Sequence, residues 1–93
     1  MLNEQQYLLT LIQEECAELS QRASKALRFG LYEVQEGQPL NNWERLKGEY
    51  TDLLSVISEL DKSLLDVDDN KIMNKIDKIN KYMELSRERG ILK

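Results

Sequence analysis

Histidine is absent from this 93-residue chain, cysteine and proline occur once each, glycine four times, and aromatic residues make up only 6%. Without histidine there is no imidazole general base, no Ser-His-Asp arrangement and no His-based zinc site. A lone cysteine closes no intrachain disulfide and fits a reducing compartment. No apolar run approaches the ~20 residues that span a bilayer. The opening MLNEQQY also lacks the basic start and apolar stretch of a signal peptide. A soluble, cytoplasmic protein with no membrane partner is therefore expected. Basic residues are outnumbered, 13 against 17 acidic, for a net charge of −4; this disfavours a nucleic-acid partner, which calls for a basic balance or face. The length supports one domain spanning residues 1–93. Any catalysis has to rest on carboxylates, lysines, hydroxyls or a metal.

What is present is helical periodicity. Three stretches carry a 3.6-residue repeat. The first runs from about Glu4 to Phe29, with Leu8, Ile12, Cys16, Leu19, Ala23 and Ala26/Leu27 as its apolar stripe and Gly30 at the C-cap position. The second runs from about Asn42 to Leu65, with Trp43, Leu46, Tyr50, Leu53, Ile57, Leu60 and Leu64 in steps of three and four and Asn41 or Asn42 as N-cap. The third runs from about Asp69 to Arg89, with Ile72, Ile76, Ile79 and Met83 facing inward, an acidic VDDN start, and Arg87, Arg89 and Gly90 at its close. Between the first two, GLYEVQEGQPLNN holds two glycines and the proline and reads as a loop. The expected fold is all-α, an antiparallel bundle of three main helices.

Two acidic patterns stand out, Glu15-Cys-Ala-Glu18 in the first helix and Glu49-Tyr-Thr-Asp52 in the second. Residues at i and i+3 share a helix face. At about 100° per residue, Glu15 and Glu18 lie roughly 60° and 120° from the centre of their stripe, and Glu49 and Asp52 repeat those offsets in the same rotational sense. In an antiparallel pair, equal offsets of equal sense fall on the same side, so the four carboxylates converge at the edge of the core. Such a cluster repels itself unless cations neutralise it, and hard divalent ions with oxygen ligands do so best. The plainer alternative is surface ion pairing with Arg22, Lys25, Arg45 or Lys47. Glu14 points roughly 160° from the stripe and is expected in solvent.

The stretches EECAELSQRASKALRFG and ERLKGEYTDLLSVI, over roughly residues 8–60, resemble the MazG-like all-α nucleoside triphosphate pyrophosphohydrolases, whose signature is ExxE in one helix and ExxD in a following one. The resemblance is closest to the small single-domain type found in phages and bacteria. It implies Mg²⁺-dependent, or Mn²⁺-dependent, cleavage of a (d)NTP to (d)NMP and pyrophosphate. Glu15, Glu18, Glu49 and Asp52 would be metal-ligating and catalytic. It also implies a homodimer or homotetramer, with the nucleotide site at a helical-bundle interface. Either the ions activate the attacking water or one glutamate takes its proton; the motif does not assign the base.

Cationic groups are needed for phosphate oxygens that no metal holds. Residues 68–93 carry seven basic and five acidic side chains (+2), against six and twelve (−6) for residues 1–67. Lys75 and Lys78 flank the third stripe and are the preferred phosphate contacts, with Arg87 on the opposite rim; a solvated basic face is the bland alternative. Arg22 and Lys25 continue the Glu15/Glu18 face and either reach substrate or neutralise the glutamates. Trp43 and Phe29 are expected in the core, with stacking on a base as their functional alternative and that of Tyr32. Cys16 is expected as a small buried hydrophobe. Gly48 in mid-helix either marks a close helix approach or is merely tolerated. A non-catalytic protein–protein interaction module using the Trp43–Leu64 seam is the competing function.

Overall fold

Asn3 starts the first helix, and it does so with a reciprocal pair of hydrogen bonds. Its Oδ1 accepts from the Gln6 backbone N–H at 2.8 Å, while the Gln6 Oε1 accepts from the Asn3 N–H at 3.0 Å. Two of the donors that a helix start leaves unpaired are thereby satisfied. Helix α1 then spans Glu4–Phe29 and stops at Gly30, whose φ of +102° a side chain would strain. Asn41 repeats the same capping box with Glu44 to start α2, Asn42–Ser58. Asp68 caps α3, Asp69–Glu88, by accepting from the Asn70 and Lys71 N–H groups at 2.9 and 3.2 Å. The structure is a computed structural model describing residues 1–60 and 66–93. The described residues form three helices and no strand.

Helix α2 ends at Ser58, earlier than its apolar pattern predicts. Three hydroxyls near its end bond back to helix carbonyls: Thr51 to Lys47, Ser55 to Thr51 and Ser58 to Ser55, at 2.7–2.9 Å. Such bonds compete with the ladder and weaken a helix, and α2 has no basic residue in its last turn. Leu60 lies beyond the helix but is buried. The expected continuation through Leu64 and Leu65 falls outside the described residues.

The loop between α1 and α2 is locked onto the start of α2, which makes the two helices an antiparallel hairpin. The N–H groups of Asn42 and Trp43 donate to the carbonyls of Glu33 and Leu31 at 3.0 and 2.9 Å. Asn41, not Asn42, is the cap; Asn42 is 3% exposed, and its Nδ2 donates to the Gly30 carbonyl at 2.8 Å and the Glu33 carboxylate at 3.3 Å. At the far end, Leu2, Asn3, Glu4, Tyr7 and Leu8 around the α1 start and Glu59 beyond α2 line one hollow.

The contact between α1 and α2 is rotated from the apolar stripes. On α1 the residues shielded from water are Leu8, Thr10, Leu11, Ile12, Glu15, Leu19, Arg22, Lys25 and Ala26, and all but Thr10 and Lys25 lie on a face about 50° from the expected centre. Cys16 and Ala23 are exposed and Leu27 is 87% exposed, against the expectation that they are buried. Trp43, Tyr50 and Phe29, also expected inside, are about half exposed, and Arg28 lies 5.0 Å from the centre of the Phe29 ring. A single partner helix can cover only one narrow face, which accounts for these departures.

Extensive helix–helix packing among the described residues is confined to α1 with α2. Ile72, Ile76, Ile79 and Met83 of α3 are therefore not inward as expected but 38–46% exposed. The chain measures 49 × 43 × 19 Å with a radius of gyration of 16.9 Å, where a compact domain of this length has about 12 Å. No described helix is long and apolar enough to cross a membrane.

Candidate metal centre

Rotation of the helix pair carries Glu15 and Glu49 inward from the seam's edge. Each is partly buried, and each has one carboxylate oxygen, Oε2, shut off from water with no hydrogen-bond partner among the described residues. Glu18 sits one turn along α1 on the exposed rim, and Glu15, Glu18 and Glu49 each bring a carboxylate oxygen to within 4.8 Å of one another. Asp52 stands outside this trio but lines the same cleft as Glu18 and Glu49, and its charge acts on both Glu15 and Glu49. The antiparallel pair thus brings together Glu15, Glu18 and Glu49, three of the four carboxylates expected to converge, and leaves Asp52 outside the group.

The electrostatics are those of an uncompensated cluster. Loss of solvent raises the Glu15 carboxyl above its ordinary 4.5, and the charges of Glu18 and Asp52 push it in the same direction. Glu49 is raised chiefly by loss of solvent, then by a hydrogen bond and repulsion with Glu18. Among the described residues the one ion pair is Arg87 with Glu84 on α3. None of the four carboxylates is paired with Arg22, Lys25, Arg45 or Lys47, so the surface-salt-bridge alternative does not describe them.

A cleft of about 500 Å³ opens beside the cluster, lined by Glu18, Gln21 and Arg22 of α1, Gln38 and Leu40 of the loop, and Glu44, Arg45, Gly48, Glu49 and Asp52 of α2. Arg22 is half-buried, and one guanidinium nitrogen is shut from water with no acceptor among the described residues. Lys25 is half-buried one turn farther along α1 and does not line the cleft. Glu14 is exposed, as expected. A Cβ on Gly48 would meet nothing within 4 Å, so this glycine marks no close approach within the chain.

Lys75, Lys78 and Arg87 are not brought to the carboxylates. All three lie on α3, which contributes nothing to the cleft lining. Lys75 lines a separate hollow with Asp66, Val67, Asp68, Lys71, Ile72 and Ile76. Arg87 is occupied by Glu84 and by the Lys93 carbonyl at 3.1 Å. Arg45, Gln21 and Gln38 line the cleft and are absent from the expected substrate contacts. Arg45 carried a sequence signal, standing one turn before Glu49 on the same face; its Nη1 donates to Gln35 in the loop at 2.9 Å. Gln38 had none, because the loop's path depends on the Asn42 bonds.

Compared with protein-family models, curated proteins and solved structures, the chain matches none of them.

Proposed function

We propose that this chain is a Mg²⁺-dependent nucleoside triphosphate pyrophosphohydrolase of the MazG-like type, converting a (d)NTP to (d)NMP and pyrophosphate, with Mn²⁺ able to replace Mg²⁺. The observation that carries the reading is the convergence of Glu15, Glu18 and Glu49 beside a cleft, with two buried carboxylate oxygens that no protein donor satisfies. Leaving such oxygens bare is costly, and an all-carboxylate donor set suits a hard ion. Glu15, Glu18, Glu49 and Asp52 would hold it.

When bound, Mg²⁺ supplies positive charge against the triphosphate and lowers the pKa of nearby water. The chain's own groups do the rest. Arg22, which lines the cleft, donates to a phosphate oxygen. Arg45 does the same from the α2 side, and Lys25 neutralises charge at the margin. One glutamate of the cluster, left out of the ion's shell, accepts the proton of a water whose oxygen attacks the α-phosphorus as the bridging bond to the β-phosphate breaks. Pyrophosphate departs from the open side of the cleft.

Purified protein incubated with each NTP and dNTP in Mg²⁺ is expected to release pyrophosphate, and Glu49→Gln to abolish release while retaining the helical circular dichroism. No pyrophosphate from any nucleotide, with Mg²⁺ or Mn²⁺, sinks the proposal. The competing reading, a non-catalytic interaction module, has one observation in its favour: Trp43, Tyr50 and Leu54 form an exposed apolar flank on α2. It requires that neither the wild-type chain nor Glu49→Gln release pyrophosphate from any nucleotide.

A further inference from the structure

Gly48 weakens α2, and no contact within the chain requires it. A glycine in mid-helix is less stable than alanine, yet a Cβ at this position would meet nothing within 4 Å. Its place is specific. At about 100° per residue, Glu44, Gly48 and Asp52 fall in one row along α2, and all three line the cleft. The bare Cα is thus a gap in the cleft wall between two carboxylates, about 6 Å of helix from each. Omitting a side chain there lets a ligand lie directly against the backbone.

The uncharged groups of the cleft gather at its loop end. Gln21 stands one turn beyond Glu18 on α1, toward the loop, while Gln38 and Leu40 come from the loop itself. Gln38 is held in place. Its N–H donates to the Gln35 carbonyl at 2.9 Å, closing a turn whose third residue, Gly37, has a φ of +82° that glycine adopts without strain. Gln35 is fixed in turn by Arg45 of α2, which donates to its Oε1 at 2.9 Å. Neither the Gln21 nor the Gln38 carboxamide has a partner among the described residues.

Two carboxamides, one apolar side chain and a bare patch of helix suit a flat heterocycle. Its faces take van der Waals contact, and its edge donates and accepts hydrogen bonds. A phosphate chain alone has no use for such groups. We propose that Gly48 opens a nucleobase subsite at the loop end of the cleft, where the base lies against Leu40 and the α2 backbone and Gln21 and Gln38 bond its edge. The subsite rests on the hydrolase reading and adds to it the residues that tell a nucleoside triphosphate from an inorganic one.

Steady-state kinetics separate the base from the phosphates. Gly48→Ala is expected to raise KM for the best nucleotide roughly 10-fold, the scale on which one methylene is felt in a binding pocket, and Gly48→Leu to raise it further, with kcat retained in both. Gly48→Ala should also raise Tm by about 2–8 °C, so the weaker binding does not come from a damaged fold. Gln38→Ala is expected to raise KM by about 2- to 10-fold, the loss of one neutral hydrogen bond. Inhibition by tripolyphosphate, which carries no base, should be the same for wild type and all three variants. A wild type that releases no pyrophosphate from any nucleotide overturns the hydrolase reading and the subsite with it. An active wild type whose Gly48→Leu variant keeps KM within about twofold, or loses tripolyphosphate inhibition in step with nucleotide binding, overturns the subsite alone.

Discussion

Glu15 on α1 and Glu49 on α2 occupy equivalent places across the helix pair, each with one oxygen sealed from water and lacking a hydrogen bond. Two such groups facing one another destabilise the metal-free chain and favour a cation between them. Mg²⁺ or Mn²⁺ at about 100 times its Kd is therefore expected to add about 2.7 kcal/mol of stability, at roughly 4–8 °C in Tm per kcal/mol for a domain of this size. EDTA should reverse the rise and Glu49→Gln should remove it. A calorimetric Tm indifferent to both ions would show that the cluster holds neither.

The pH dependence of the metal-free protein has a definite sign. Glu15 and Glu49 titrate above 4.5 in the folded chain, so between 4.5 and their raised values the folded state binds more protons than the unfolded one. Stability from these groups is fully present below 4.5 and is lost as pH rises through the raised values. Tm in EDTA is expected to be higher at pH 5 than at pH 7, and the Glu15→Gln/Glu49→Gln protein to show a smaller difference. Equal slopes for the two proteins would contradict the raised values.

Asn42 holds the hairpin closed. Its substitution by alanine strands the Gly30 carbonyl and removes a bond to Glu33, so a loss of about 1–3 kcal/mol is expected in urea unfolding. Asn3→Ala, which removes a helix cap remote from the loop, is expected to lose only about 1 kcal/mol. The reverse ranking would mean that the loop is not what fixes the pair.

Arg22 is expected to bind phosphate from the cleft. Arg22→Met should lower kcat/KM by roughly 10- to 150-fold, the equivalent of a charged hydrogen bond worth about 1.5–3 kcal/mol. Arg87→Met, whose guanidinium is already taken by Glu84 and the Lys93 carbonyl, should leave the reaction rate unchanged. Steady-state kinetics on the two variants side by side test the assignment.

Local pattern located three helices, the glycine that ends α1 and the approach of Glu15, Glu18 and Glu49, while α2 ends at Ser58, earlier than its apolar spacing predicts. Asn3, Gly30, Asn41 and Asp68 act through bonds to neighbours a few residues away, and the i, i+3 spacing of carboxylates survives any antiparallel pairing. Which residues are inside was not determined that way. Periodicity locates an apolar face but does not divide it among partners, and this chain's stripes are wider than one neighbouring helix covers. Only the tertiary structure decided that the α1–α2 contact turns about 50° toward Glu15 and Glu49. That rotation brings two carboxylates in from the edge and leaves Cys16, Leu27, Trp43 and Tyr50 exposed. The bonds that join Asn42 and Trp43 to Gly30, Leu31 and Glu33 at the turn between the helices depend on a backbone path that no local pattern encodes.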